Sequence, residues 1–149
     1  MILDERNEFA DATALGTSGT GRQLVGDVID LGAVSQDIGN GEPLYLVVQV
    51  DTAVTSDGSA TVSFELASDA QAAIATNGTA TVHVVTPAIA KTALTAGVIV
   101  ASVALPMGTY ERYLGIIANV GTAAVTAGKI NAFLTKDVAK WVATADAVN

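Results

Sequence analysis

At 149 residues the chain has the length of one domain, and half of its residues are hydrophobic. Fifteen acidic against seven basic residues give a net charge of −8, a field that repels nucleic acid and anionic membrane surfaces. Cysteine is absent, which excludes disulfides, thiolate metal sites and a cysteine nucleophile.

Residues 1–26 differ in composition from the rest of the chain. Asp4, Glu5, Arg6, Glu8 and Asp11 surround Leu3, Phe9 and Leu15, and the run GTSGTGR from Gly16 to Arg22 reads as flexible. A helical turn around Glu5–Ala12 would be marginal alone at that length. The segment therefore reads as an N-terminal arm that orders on a partner, with Phe9 as its apolar anchor. Its acidic, polar start does not resemble a secretory signal.

From residue 27 to 149 the pattern is that of one β domain. Val28–Leu31 reads as a short strand, and Gly39-Asn40-Gly41-Glu42-Pro43 as a turn. Leu44–Val50 is almost continuously apolar, as in a strand buried on both faces. After the Asp57-Gly58 turn, Thr61–Leu66 alternates, which points Val62, Phe64 and Leu66 inward and Ser63 and Glu65 to water. Thr79–Val85 alternates again, with Ala80, Val82 and Val84 on one face and His83 opposite. Val98–Ala104 is a strand stopped by Pro106. Tyr113–Val120 and Lys129–Thr135 come next, and the tail with Trp141 reads as a final edge strand.

About eight short strands with Gly, Asn, Asp and Pro punctuation predict an all-β protein. The architecture expected is an antiparallel β-sandwich, jelly-roll-like, with an extended N-terminal arm. Only 5% of residues are aromatic and much of the apolar content is alanine, so the core should be thin and gain from partner contacts.

The residues spell out neither a catalytic set nor a cofactor motif. His83 is the one histidine, which excludes a histidine-rich zinc site, and it reads as a solvent-facing or interface residue. The glycines at 16, 19 and 21 lack the strand, helix and Lys-Ser/Thr of a phosphate loop. Asp51 and Asp57 lack the spacing of a calcium loop. The basic residues form no phosphate-tracking stripe, and no run reaches the roughly 20 apolar residues of a membrane span. The distinctive side chains gather in Leu105–Ala118, where Tyr110, Glu111, Arg112 and Tyr113 come after a Pro-x-Gly corner. Adjacent strand residues point to opposite faces, so Glu111 and Arg112 should reach different partners. With Phe9, these four residues are the expected contact set.

Four segments, in this order, resemble the capsid cement (decoration or staple) proteins of some tailed bacteriophages. They are LDERNEFADATAL, DLG…DIGNGEPLYLVVQVDTAV, SATVSFEL, and LPMGTYERYLGI with TAGKINAFL after it. The likeness runs from Leu3 to Leu134. It implies a jelly roll on the outer surface of an icosahedral shell, pairing with a second copy across a symmetry axis. It also implies bridging of neighbouring major capsid proteins by contact alone, without enzymatic activity, cofactor, nucleic acid or membrane. The alternative from the residues themselves is a carbohydrate-binding or adhesin-like β module using Tyr110, Tyr113 or Trp141.

Overall fold

A computed structural model describes residues 4–17, 19–32, 38 and 41–138. Among the described residues are nine strands: β1 (Glu8–Ala14), β2 (Gly21–Asp30), β3 (Tyr45–Thr55), β4 (Thr61–Asp69), β5 (Thr81–Val85), β6 (Ile89–Ala90), β7 (Ile99–Ala104), β8 (Tyr113–Gly121) and β9 (Ala127–Thr135). They form two antiparallel sheets, ordered β1-β9-β3-β7 and β2-β8-β4-β5, with the short β6 also on β4. Apart from the β4–β5 pair, successive long strands alternate between the sheets. That winding is a jelly-roll sandwich.

The register explains the core. On β4, Val62, Phe64 and Leu66 lie beside Val120, Ala118 and Ile116 of β8. On β3, Leu46, Val48 and Val50 lie beside Leu134, Ala132 and Ile130 of β9. These two inner faces meet in one apolar cluster, closed by Phe9, Val25, Leu94, Leu105, Tyr110 and Leu114. The near-continuous apolar run of β3 is buried on both faces, as its sequence predicts.

The outer face of the β2-β8-β4-β5 sheet is also covered. The loop after β4 folds back so that Ile74 and Ala80 pack on Ala67 and Ile117, with Leu24, Val28 and Ala75 around them. Glu65, expected to face water, is consequently buried there and paired with Arg22 of β2. A carboxylate withdrawn from solvent needs such a charged partner.

The expected separation into an arm over 1–26 and a domain from 27 does not hold. Glu8–Ala14 is a sandwich strand paired with β9, and Gly21–Val25 already pairs with β8. Phe9 and Leu15 are only 1% and 2% exposed, so this segment contributes to the core. Two register shifts against β9 break the period-two pattern that would have announced β1. Within the second shift, Ala12 takes φ +44° and its N–H donates to Asn131 Oδ1 at 2.6 Å. Gly26 lets β2 cross close to β1: at its φ of +69°, a Cβ would lie 2.0 Å from the Phe9 carbonyl oxygen. The expected edge strand with Trp141 lies outside the described residues.

Candidate functional site

The corner between β7 and β8 collects the residues singled out from the sequence. It starts at Leu105, whose N–H donates to the Leu44 carbonyl, and runs through Pro106, an exposed Met107 and Gly108 to Tyr110. The Tyr110 hydroxyl donates back to the Pro106 carbonyl at 2.6 Å, closing the corner on itself. The Tyr110 ring is fully buried and stacks on His83 of β5, with centroids 3.9 Å apart.

Three side chains of the β4–β5 pair fasten this corner. Ser68 Oγ accepts from the Glu111 N–H at 3.1 Å and lies 2.7 Å from His83 Nε2. Thr81 Oγ1 donates to the Glu111 carboxylate at 2.8 Å. His83 is there because the β4–β5 register shifts between Leu66 and Ala67, which pair with Val84 and Val82. That shift leaves His83 as the extra residue of a bulge, and bulges re-aim side chains. The alternation expected for Thr79–Val85 fails at this point, so Val82 is exposed and His83 is half-buried on Tyr110. Burial pushes the His83 imidazole below its ordinary pKa, and the nearby Glu111 carboxylate opposes that shift.

On the other side of the corner, Arg112 forks onto Asp30 of β2 with two hydrogen bonds of 2.9 Å. The Arg112 carbonyl accepts from the Leu31 N–H, and its guanidinium lies 5.0 Å from the Tyr113 ring centre. Hydrogen bonds from Arg112 and from the Gly32 N–H hold the Asp30 carboxyl down to about pKa 2. Glu111 and Arg112 thus reach different strands, as their adjacency predicts.

Of the five expected contact residues, two belong to the interior. Phe9 fills the core and Tyr110 braces the corner from within, so neither presents a contact surface. Glu111, Arg112 and Tyr113 remain partly exposed. Chemically, Ser68, His83 and Glu111 form a fastening rather than a nucleophile set. Ser68 is fully buried, and the Glu111 carboxylate bonds Thr81. Among the described residues, no group of three or more His, Cys, Asp or Glu side chains is placed to hold a metal ion. No described helix is long and apolar enough to cross a membrane.

Sequence reasoning missed the surface beside the corner. β5 ends one sheet and β7 ends the other. The chain passes from β4's edge at β6 to β3's edge at residues 94–98, so both edges lie on one side of the sandwich. They also lie at the same end, since β5 pairs with the far half of β4 and β7 with the start of β3. Val85, Ile99, Val82, Val103 and Met107 are exposed here, Val85 at 62% and Met107 at 75%. Neither β5 (TVHVV) nor β7 (IVASVA) carries a formal charge with His83 neutral. Edges that stay unpaired in solution are ordinarily guarded by lysine, proline or bulges. β5 has a bulge, and β7 a register shift near Ile99, but neither has a charged guard. The absence of strand charges was legible; their convergence on one side was not.

On the opposite side, β1 and β2 frame a hollow of 560 Å³ lined by Glu5, Glu8, Asp11 and Asp27 with Phe9, Ala10, Thr13 and Val28. Burial and the neighbouring Asp11 and Glu5 charges raise the Glu8 pKa.

Fold and surface define a jelly-roll sandwich with a braced corner and one open, apolar side. The chain belongs to the Bbp16 family, whose model matches residues 9–134, from the second residue of β1 to the penultimate residue of β9. No curated protein matches it.

Proposed function

We propose that this chain is a structural virion protein, a capsid cement or decoration protein of a tailed phage. It would bind the outer surface of the head and staple neighbouring major capsid proteins. The observation that carries the reading is the open side, where two uncharged sheet edges and exposed Val82, Val85, Ile99, Val103 and Met107 converge. Edge strands of this kind are natural templates for pairing with another chain. The resemblance of residues 3–134 to cement proteins supplies the class of partner, and the net charge of −8 suits a shell's exterior better than its DNA-facing lumen.

In mechanism, the domain acts by contact. The rigid sandwich holds both edges in fixed relation, and the corner keeps Glu111 beside β5 while Arg112 is held on β2. A homodimer across a symmetry axis would double the number of shell contacts, and linked contacts add through effective concentration. The glycan-binding alternative has lost one of its rings, since Tyr110 is buried, and no observation favours it.

The test is co-sedimentation of the purified protein with phage heads that lack it. Saturable binding at a fixed ratio, with a rise in the heads' melting temperature, is expected. Heads that neither retain the protein nor gain heat resistance would reject the reading.

A further inference from the structure

The corner is held to β4 and β5 by an arrangement that depends on one proton. Ser68 is fully buried, and its oxygen already accepts from the Glu111 N–H. With the imidazole neutral and its proton on Nδ1, His83 Nε2, 2.7 Å away, is an acceptor for the Ser68 hydroxyl hydrogen. The same ring is the stacking partner of Tyr110, whose hydroxyl closes the corner on Pro106. Protonating His83 makes Nε2 a donor. The Ser68 hydrogen then loses its acceptor in a buried position, where an unmatched polar group is costly.

We propose that His83 is a proton-sensitive latch, which fastens the 105–113 corner to the β4–β5 pair when neutral and loosens it when protonated. The titratable groups facing the ring are Glu111 and Tyr110, both from the corner, while β4 offers the Ser68 hydroxyl. Glu111 favours the imidazolium, and the ring face of Tyr110 also attracts a cation. Burial outweighs Glu111, in keeping with the lowered imidazole pKa. A histidine lowered in the folded state contributes full stability above its unfolded pKa of about 6.5 and loses it as the pH falls below that value. The device belongs to the isolated domain and does not depend on the capsid reading.

The experiment is amide hydrogen exchange of the purified chain, with each rate corrected for the intrinsic effect of pH. Protection in 105–113 is compared with protection in β9 from about pH 7.5 to about pH 5, the range in which histidine titrates. In the wild type, protection of the corner should fall several-fold relative to β9. In His83→Gln, whose amide oxygen still accepts from Ser68 but does not titrate, the ratio should stay constant. An equal fall in both proteins, or no fall in the wild type, would overturn the latch. NMR titration of the wild-type imidazole decides independently of how the variant folds. A midpoint below that of an unfolded-chain histidine is expected, and one at or above it would also overturn the proposal.

Discussion

Tyr110 carries a ring and a hydroxyl, and both have partners inside the chain. The ring lies on His83 and the hydroxyl donates to the Pro106 carbonyl. Tyr110→Phe keeps the stack but leaves that carbonyl without its donor. A net hydrogen bond is worth about 0.5–1.5 kcal/mol, so urea unfolding should report a loss of that size with an unchanged slope. An unaltered midpoint would mean that the hydroxyl does not brace the corner. The Arg112–Asp30 fork belongs to the same scale but lies in solvent, where ion pairs add little. Its signature is the shape of a pH profile. Asp30 is depressed from 3.8 to about 2, so its contribution is present above 3.8 and lost as the pH falls through about 2. Melting temperatures between about pH 5 and pH 2 should therefore decline less steeply in Asp30→Asn than in the wild type.

Most strands of the sandwich were legible because their side chains alternate or run apolar between turn residues. Thr61–Leu66 is the clearest, and its Val62, Phe64 and Leu66 sit in the core as expected. Glu65 was misassigned because covering the outer face took the loop after β4 and Arg22 of β2, neither of which local alternation reports. β1 was missed for a different reason. Its charges and its two shifts against β9 conceal a strand whose partner lies more than a hundred residues away. The functional contrast is direct. An arm anchored by Phe9 on a neighbour would leave the free domain indifferent to losing that ring. A core strand would not, and truncating a buried phenylalanine costs about 3–5 kcal/mol. Phe9→Ala should show a loss of that order in urea unfolding of the isolated chain, whereas a loss below about 1 kcal/mol would restore the arm. Of the corner, the sequence revealed the Pro-x-Gly bend and the divergence of Glu111 and Arg112. It concealed His83, whose position depends on a bulge.

At the scale of the whole molecule, the two sides of the sandwich differ. Where β1 approaches β2, the surface is an acidic hollow. Where β5 and β7 end their sheets, the strands carry no formal charge and expose Val82, Val85, Ile99 and Val103, and the proposed cement function places the shell there. The most direct measurement pairs wild type with Val85→Lys/Ile99→Lys, which puts a charge on each exposed edge. Surface changes of this kind usually alter stability by within about 0.5 kcal/mol each, so the variant should keep nearly the wild-type unfolding midpoint. Co-sedimentation with heads lacking the protein should then show saturable binding of the wild type and almost none of the variant. Equal binding by a folded variant would contradict the assignment of this side as the contact surface, and no binding by the wild type would contradict the cement function itself.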